Sequence, residues 1–556
     1  MDAPSSNLHS FLTNLAPCLT AGAWLCVGSP DDEGVFARLT EHLRVSGAQP
    51  ESLLRRAGDE PRPESAVALL LLGPSIPVEV AATWLGHLPA LGNPVIIGCA
   101  ELPAGGADLL LEQPLTSLRL TFASGFWYGC RSPFLLPDAY PCTIPVSSIP
   151  IHLTCASDGL GVLHDRDDFL RISEKSVACR YHEGGGQIFP NAIPDNYASV
   201  EAMTADVGFI GGYRPLDVGE GSSAVFLRNV SVAGRIGLLY DKDNGVIDES
   251  FVHGKVFTAP YRDMLPDHDH FIKVCSFSMG DASTPHLGTH RATFSTHIDR
   301  PVVVTLAWDI WNYNHWVHYL LSRFWYLDRF PELRRLPVVI GALSRRFHHE
   351  YLSLLGLSDL NFVEYHQSAT LHLSRAYLPS LIDPPQHSPG CRAWLRAKLL
   401  SKAAALPAGY ESGLYYISRG DAAGRRIVDE ERILTLVRKS GFKIIQFSHF
   451  SVAEQIALMC NARAVIGPHG SSLTNLVFAP PGCAVLDLLP TREIMAQQKS
   501  GALGMEIVSS ITADGGAYFM LLAQGVTDVG NTQSDYAYDF GEFESAFAQL
   551  MAKVGK

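Results

Sequence analysis

Short apolar runs that end in glycine-containing turns mark the first part of the chain. Residues 23–26, 66–72 and 95–97 form such runs, and apolar positions recur at helical spacing over residues 35–43. Strands that are buried on both faces of a parallel sheet have this continuous apolar composition. The pattern predicts a small accessory α/β domain, which we place at residues 1–115. Gly28 follows the first run without a dinucleotide-binding glycine fingerprint, so we expect a Rossmann-like domain without a ligand.

The pattern changes after residue 116 to shorter apolar runs that are separated by Gly, Asp and Asn. Residues 223–227, 235–240 and 245–247 are examples. Runs of this kind are typical of short strands joined by turns. We therefore expect the middle of the chain to be rich in β structure.

A tryptophan-rich helix is predicted directly after a strand at residues 302–305. Its apolar stripe contains Trp316, Leu320, Phe324 and Leu327 at helical spacing. A stripe of this width indicates that one face of the helix packs into a core. We assign residues 116–395 to a single lobe that begins with the β-rich segment and includes this helix.

Strands and helices alternate in the last part of the chain. The predicted strands are residues 414–417, 443–447, 464–466 and 484–488. An amphipathic helix begins at Asp429, and Ser451 forms a capping box with Glu454. This alternation predicts a doubly wound parallel sheet in residues 396–556, with a ligand crevice at the carboxyl ends of its strands. We interpret the proline-rich residues 378–390 as an irregular linker between the two lobes.

The composition argues against several classes of protein. A chain of 556 residues with 47% hydrophobic content has material for two or three folded domains. The formal net charge of −13 argues against a nucleic-acid partner. Eleven cysteines without a Cys-x-x-Cys pair argue against a disulfide framework and against a zinc site.

The sequence contains no uninterrupted apolar run of the roughly 18 residues that a membrane-spanning helix needs. The first residues also lack the basic segment of a secretory signal peptide. We therefore expect a bacterial-type cytoplasmic protein.

The middle segment contains three Asp-x-Asp triplets, formed by Asp165 and Asp167, Asp241 and Asp243, and Asp267 and Asp269. Carboxylate pairs can hold Mg²⁺ or Mn²⁺ on a diphosphate because hard cations prefer oxygen ligands. Chance triplets are expected among 56 acidic residues, and Asp is common in solvated turns. We therefore predict no metal site.

A loop of small residues follows the strand at residues 464–466. Its sequence is Gly467-Pro468-His469-Gly470-Ser471-Ser472, and an apolar segment comes next. A strand, loop and helix in this order present free backbone N–H groups and the positive end of a helix dipole to an anion. We predict a diphosphate-binding loop beside His469, with a tight turn around a structural histidine as the alternative.

Arg419 directly follows the strand at residues 414–417. A guanidinium group at the end of a strand is well placed to clamp phosphate oxygens. Such a clamp would replace a metal ion.

Polar and aromatic residues surround the start of the tryptophan-rich helix. His315 can exchange a proton near neutral pH, which makes it a candidate base, and Asp309 is a second candidate. Trp308 and Trp311 precede the helix, where their indole faces could stack on a sugar ring. The alternative for His315 is a structural hydrogen bond at the helix start.

Three ordered blocks resemble glycosyltransferase family 61. They are Asn312-Tyr313-Asn314-His315-Trp316, then Ile417-Ser418-Arg419 with Arg425-Arg426-Ile427-Val428-Asp429-Glu430, and finally His469-Gly470-Ser471-Ser472-Leu473-Thr474-Asn475 followed by Phe478 and Pro480-Pro481-Gly482. The resemblance covers roughly residues 305–489. Ser472 stands where the family has a glycine, so a position that required positive φ would be strained here.

The resemblance implies an α/β fold with a GT-B-like pair of Rossmann-type lobes, preceded by the accessory domain. It also implies an inverting glycosyltransferase that uses a nucleotide sugar, expected to be UDP-linked, without a cofactor or an obligatory metal. The donor-binding residues would be Arg419, Arg425, His469, Gly470, Ser471, Ser472, Thr474 and Asn475. The acceptor-binding residues would be Trp308, Trp311 and Asn312, with His315 or Asp309 as the base.

A glycan or lipid-linked glycan is the expected acceptor, in capsule, lipopolysaccharide or exopolysaccharide assembly with peripheral association at the inner membrane. Two other functions stay open. A dinucleotide-dependent oxidoreductase could use the same loop, although the glycine fingerprint is missing. A non-catalytic, glycan-binding scaffold is the other alternative, and Ser472 in place of glycine is the observation in its favour.

Overall fold

The structure is a computed structural model. The described residues are 23–45, 52–56, 67–87, 95–98, 102, 105–112, 117–120, 127–130, 146–150, 160–175, 177–182, 188–189, 193–207, 216–217, 223–233, 238–243, 247, 278–279, 285–290, 294–307, 310–343, 345–365, 369–380, 389–422, 424–491, 511–512, 514–526 and 534–554. Within them the chain forms a mixed α/β fold built on parallel and mixed sheets.

The strands are, in chain order, β1 (Ala23–Val27), β2 (Ser52–Arg56), β3 (Val67–Leu72), β4 (Val95–Gly98), β5 (Ser117–Leu120), β6 (Trp127–Cys130), β7 (Val146–Pro150), β8 (Val162–Leu163), β9 (Cys179–His182), β10 (Ile188–Phe189), β11 (Leu216–Asp217), β12 (Ser223–Ala233), β13 (Leu238–Tyr240), β14 (Ser278–Met279), β15 (Pro285–His290), β16 (Phe294–Ile298), β17 (Val302–Val304), β18 (Val338–Gly341), β19 (Phe362–Tyr365), β20 (Ala369–Pro379), β21 (Leu414–Ile417), β22 (Lys443–Ile445), β23 (Ala464–Pro468), β24 (Ala484–Leu489), β25 (Ala517–Leu522), β26 (Gly525–Val526) and β27 (Tyr536–Ala537).

The α-helices of eight or more residues in the described ranges are Glu33–Val45, Val78–Gly86, Arg166–Glu174, Val200–Val207, Arg346–Leu354, Pro389–Leu399, Glu430–Lys439, Val452–Cys460 and Phe540–Val554. Shorter helical segments are Pro30–Asp32, Gly106–Glu112, Pro331–Arg335, Leu400–Lys402 and Phe447–His449.

A large sheet runs through the first two thirds of the chain. Its strand order is β2-β1-β3-β4-β6-β5-β19-β18-β17-β20-β12-β9-β8. β1 to β4 pair in parallel, as the continuous apolar runs predict. β5 pairs in parallel with β19, so one sheet joins the first α/β unit to the strands before and after the tryptophan-rich helix.

A buried carboxylate in the loop after β1 bears on the prediction that the first unit has no ligand. The buried carboxylate of Asp32 accepts hydrogen bonds from the backbone N–H groups of Ser29 at 2.9 Å and Ser75 at 3.1 Å. The carboxylate also lies against Gly28 and Gly73. A Cβ added to these glycines would be 2.5 Å and 2.4 Å, respectively, from Asp32 Oδ2. A carboxylate at the carboxyl ends of β1 and β3 disfavours a phosphate there.

The C-terminal sheet contains five parallel strands in the order β22-β21-β23-β24-β25. The predicted strands of this region are confirmed, although β22 ends at Ile445, because a short 3₁₀ helix follows at Phe447–His449. The helices Glu430–Lys439 and Phe540–Val554 contribute Ile433, Val437, Phe543 and Phe547 to a core on one face of this sheet. The other face shares a core with the first sheet.

The tryptophan-rich helical run lies in that shared core. It comprises Tyr313–His315, a π-helical turn at Trp316–Leu320, a 3₁₀ segment at Leu321–Trp325 and a final turn at Tyr326–Arg329. Its predicted apolar stripe is confirmed, since Trp316, Leu320 and Phe324 are buried and Leu327 packs against the same core. The π-helical turn changes the pitch of the helix, a feature that often accompanies a functional site.

Two expectations about connecting segments change. The predicted linker begins inside β20, which continues to Pro379, and its last residues start the helix Pro389–Leu399. The intervening residues 381–388 lie outside the described ranges.

No helix among the described residues has both the length and the apolar character to cross a bilayer.

Candidate functional site

The loop after β23 turns sharply at Gly470. This residue has φ 150° and ψ −170°, a conformation that is essentially restricted to glycine. The helix Ser471–Phe478 begins at the next residue and leaves its first backbone N–H groups without intrahelical partners. Ser472 lies inside this helix and is not a positive-φ residue. Serine at that position is therefore unstrained, which removes the observation that favoured a scaffold.

Arg419 and Arg425 bring two guanidinium groups to the same side of Gly470. A methyl group built on Gly470 would lie 3.3 Å from Arg419 Nη1 and 4.0 Å from Arg425 Nη2. Burial lowers the pKa of Arg419 and the charge of Arg425 lowers it further, whereas Tyr536 and Asp421 act in the opposite direction. Two like charges therefore repel each other beside the loop.

Four polar atoms around this loop are buried without a hydrogen-bond partner within the described part of the chain. They are Arg419 Nε, Arg425 Nε, Ser472 Oγ and Tyr536 Oη. Burial of unpaired donors is costly, and a bound ligand or ion is one way in which a cluster of them can be satisfied. All four can donate a hydrogen bond to an oxyanion. The cluster therefore has the charge and the donors of a phosphate-binding site.

The segment before the C-terminal helix holds Tyr536 and Arg425 near the loop. The backbone N–H of Val428 donates to Tyr536 O at 2.7 Å, and that of Tyr536 donates to Arg426 O at 2.8 Å. Asp535 accepts from the Arg426 backbone N–H at 2.9 Å and from its Nη2 at 2.9 Å, and the backbone bond lowers the pKa of Asp535. Arg425 itself has a left-handed φ of 56°.

His469 points away from the two arginines, toward the neighbouring strand β24. Its Nδ1 lies 2.8 Å from Asp487 Oδ2, and the Tyr518 hydroxyl donates to the same oxygen at 2.8 Å. Asp487 is completely buried, whereas 10% of the His469 side chain is exposed. Burial raises the pKa of Tyr518, as does its carboxylate partner. The predicted donor-binding histidine is thus one end of a buried polar chain across three adjacent strands.

Two hydrogen bonds join the loop helix to the start of the tryptophan-rich helix. Ser471 Oγ donates to Asn312 Oδ1 at 3.0 Å, and Thr474 Oγ1 donates to Asn314 Oδ1 at 2.8 Å. Asn312 also caps its own helix by accepting from the Asn314 backbone N–H at 2.9 Å. The side chains of Ser471 and Thr474, predicted to bind the donor, are therefore directed to the other helix, as is that of Asn312, which was predicted to bind the acceptor.

Asn475 takes part in a third junction, which is largely buried. Its Oδ1 lies 2.7 Å from the Tyr313 hydroxyl, and its Nδ2 donates to Gln455 Oε1 at 3.1 Å. The hydroxyls of Tyr313 and Tyr351 are 2.8 Å apart, and burial raises the pKa of both. Asn475, which is 1% exposed, thus connects the two halves of the chain.

The acceptor-side predictions fall in the same region. The His315 ring is half-buried and stacks on Tyr319 with ring centroids 4.8 Å apart. Trp311 is 46% exposed, which is unusual for a large apolar side chain and suits a surface for stacking. Trp308 and Asp309 lie outside the described residues.

The Asp-x-Asp triplets that the structure describes serve local structure. Asp165 caps the helix Arg166–Glu174 by accepting from the Asp168 backbone N–H at 2.8 Å. Asp241 accepts from the Asp243 backbone N–H at 2.9 Å in a turn. The third triplet, at residues 267 and 269, lies outside the described ranges. Where the chain is described, no group of three or more His, Cys, Asp or Glu residues could hold a metal ion.

Sequence reasoning missed two residues of this site, Asp487 and Tyr536. Asp487 carries a signal, since it is the acidic residue within the otherwise apolar strand Ala484–Leu489. A charge in a buried strand usually has a partner. Tyr536 carries no comparable signal, because its position beside Arg419 depends on pairing between distant segments.

Residues 313–486 match the family model described as Glycosyltransferase 61. The match confirms the resemblance and includes both arginines and the His469 loop. No curated protein matches the chain.

Proposed function

We propose, from the match of residues 313–486 to the Glycosyltransferase 61 family model, that the chain transfers a sugar from a nucleotide sugar, UDP-linked or similar, with inversion at the anomeric carbon. The acceptor is a hydroxyl group of a glycan or lipid-linked glycan. The nucleoside diphosphate leaves from the loop at Gly470, and no metal is required.

The single observation that carries this proposal is the Arg419–Arg425 pair beside Gly470. Two partly buried guanidinium groups that repel each other, with an unpaired Nε on each, favour binding of an anion. A diphosphate offers several oxygens to these donors, to Ser472 and Tyr536, and to the backbone N–H groups of the loop helix.

The same groups suit the chemistry of transfer. As the bond from the anomeric carbon to the diphosphate oxygen breaks, negative charge grows on the leaving nucleotide. Preorganised cationic donors stabilise this charge without reorganisation, so arginines can take the role that a divalent cation has in other transferases.

On the acceptor side the proposal keeps Trp311 as a stacking surface for sugars, together with Trp308 from the sequence. Inversion needs a base on the face of the sugar opposite the diphosphate, and His315 and Asp309 remain candidates from the sequence.

The two sheets, with the tryptophan-rich helix in the core between them, are compatible with a GT-B-like pair of lobes, which we propose as the working architecture. A cytoplasmic role in capsule, lipopolysaccharide or exopolysaccharide assembly, with peripheral association at the inner membrane, completes the proposal.

Thermal unfolding in excess EDTA tests the donor class directly. We expect UDP, GDP or dTDP to raise Tm, because a ligand at about 100 times its Kd stabilises the folded state by about 2.7 kcal/mol. The corresponding nucleoside monophosphate should stabilise less, since it offers one phosphate. Stabilisation by NAD alone would instead favour an oxidoreductase. Absence of any nucleotide effect would refute the proposal and support a scaffold.

A further inference from the structure

The buried hydrogen-bonded residues His469, Asp487 and Tyr518 are not used by the proposed diphosphate site. Arg419 follows β21, on one side of β23, whereas Asp487 lies on β24, on the other side. A Cβ on Gly470 would lie beside the arginines, whereas His469 bonds to Asp487 on β24. The imidazole and the guanidinium groups therefore flank the end of β23 from two sides.

The hydrogen bonds among His469, Asp487 and Tyr518 involve Nδ1 of the imidazole ring and not Nε2. Asp487 Oδ2 accepts from Tyr518 and lies 2.8 Å from His469 Nδ1. A carboxylate that accepts the Nδ1 proton fixes the tautomer in which Nε2 carries a lone pair. Within the described part of the chain, the hydrogen bond of the His469 ring is made by Nδ1, and the side chain keeps 10% of its surface exposed. A histidine oriented by a buried carboxylate is the arrangement that activates hydroxyl groups in other enzymes.

We propose that His469 is the base of the transfer reaction and that Asp487 is its positioning residue; this inference rests on the proposed function. Nε2 takes the proton of the acceptor hydroxyl while the hydroxyl oxygen forms its bond to the anomeric carbon. The bond from that carbon to the diphosphate oxygen breaks, and its electron pair leaves with the nucleotide. Asp487 then stabilises the imidazolium ion that has formed.

This assignment moves His469 from donor binding to catalysis and gives Tyr518 a supporting part. Tyr518 lies on the edge strand β25, where the backbone of Asp195 and the side chain of Asn196 extend the sheet. Asp195 N donates to Tyr518 O at 2.6 Å, and Asn196 Nδ2 donates to Met520 O at 2.8 Å. These bonds fix the strand that carries the hydroxyl, and hence the orientation of the carboxylate.

The test separates binding from turnover. UDP affinity is measured by calorimetry, and UDP release is measured from UDP-glucose, UDP-galactose, UDP-N-acetylglucosamine and UDP-xylose with water as the acceptor. With the sugar nucleotide that the wild type hydrolyses fastest, His469→Gln should lower kcat by roughly 10²–10⁴. Its Kd for UDP should stay within about three-fold of wild type, a difference below 1 kcal/mol.

Asp487→Asn supplies the second variant. Its amide oxygen can still accept from Nδ1, but the charge that stabilises the imidazolium is gone, so kcat should fall while the Kd for UDP holds. A merely structural role would lower Tm and UDP affinity together with turnover. The exposed His87, in the first α/β unit, provides the matched control His87→Gln with unchanged turnover.

The outcomes separate this inference from the function on which it rests. Full turnover in His469→Gln, or a loss of UDP affinity that accounts for the loss of turnover, overturns the assignment of the base while the transferase proposal stands. If His469→Gln fails to fold, the same comparison of kcat with Kd in Asp487→Asn decides. A wild-type protein that binds no nucleoside diphosphate overturns both.

Discussion

Arg419 and Arg425 face the same side of Gly470, and the positive charge of Arg425 contributes to the lowered pKa of Arg419. Asp535, on the adjoining segment, is engaged by Arg426. The site therefore contains a repulsion within the folded protein that the anionic ligand of the proposed function would relieve. At sites of this kind, a group that is needed for function can lower the stability of the protein. Tm and UDP affinity of arginine variants measure the two effects separately.

Removal of one guanidinium should weaken ligand binding without unfolding the protein. Arg419→Ala deletes a charge-assisted contact worth roughly 1.5–3 kcal/mol, so UDP affinity should fall about ten- to a hundred-fold. Tm without nucleotide should hold or rise, because the repulsion with Arg425 disappears. Calorimetry and thermal unfolding check the two effects.

Two further variants define the arginine experiment. Arg425→Asn keeps a side chain that tolerates the left-handed backbone at this position, so its loss of affinity reports the missing charge. Arg438→Ala, on the exposed face of the helix Glu430–Lys439, should leave UDP affinity unchanged. An Arg419→Ala protein that binds UDP like the wild type would show that this guanidinium is only a surface charge.

The backbone at Gly470 gives a second prediction. Gly470→Ala forces a Cβ into a conformation that costs about 1–3 kcal/mol and directs it toward Arg419 Nη1, 3.3 Å away. We expect a lower Tm and a loss of UDP affinity together, because the methyl group occupies space beside the donors.

Gly34→Ala is the matched control for Gly470→Ala. Gly34 lies in the helix Glu33–Val45 and has no atom within 4 Å of an added Cβ. Alanine there should stabilise the protein by about 0.5–1 kcal/mol. Wild-type stability and affinity in Gly470→Ala would mean that the loop relaxes and that its φ is not required for binding.

The parts of this site that the sequence predicts are those encoded by local pattern. The apolar run before Gly467, the small residues of the loop and the arginine at the end of β21 are adjacent to strands that their composition already specifies. Parallel strands in alternation with helices bring such loops to one edge of a sheet. Arg419 and the Gly470 loop could therefore be placed together without a structure.

The remaining features depend on contacts between distant segments. A motif does not say which of its side chains face a ligand, and Thr474 and Asn475 proved to be bonded to Asn314 and Tyr313. Strand pairing such as that of β5 with β19 is likewise set by the packing of the whole sheet rather than by either sequence. The position of Tyr536 could not be predicted for the same reason, because its neighbours come from another part of the chain.

The buried junction at Tyr313 gives a third prediction. Tyr313→Phe removes a hydroxyl and leaves the Asn475 carbonyl oxygen without that partner, which should lower the free energy of unfolding by about 1–3 kcal/mol. UDP affinity should change little, because the hydroxyl is directed to Asn475, Gln455 and Tyr351 rather than to the arginines. Denaturant titration and calorimetry provide the two readouts.

Tyr197→Phe is the control for this junction, since its hydroxyl bonds to Asp206 at an exposed site and its removal should cost much less. Equal effects of the two substitutions would argue that the buried network contributes nothing beyond an ordinary surface hydrogen bond.

A histidine pair on neighbouring strands gives the last prediction. His372 on β20 stacks on His297 of β16 with ring centroids 4.5 Å apart, and its Nδ1 lies 2.9 Å from Ser231 Oγ. Burial lowers the pKa of His372 below the ordinary value of 6.5, and the charge of His297 lowers it further. Below pH 6.5 the unfolded chain therefore takes up this proton more readily than the folded protein does, and stability is lost as the pH falls from 6.5 toward the folded pKa.

His372→Gln should reduce the decrease in Tm between about pH 7.5 and pH 5.5, whereas the same substitution at exposed His87 should leave it as in the wild type. A His372→Gln protein that loses as much stability as the wild type over this range would contradict the assignment of the pH effect to this residue.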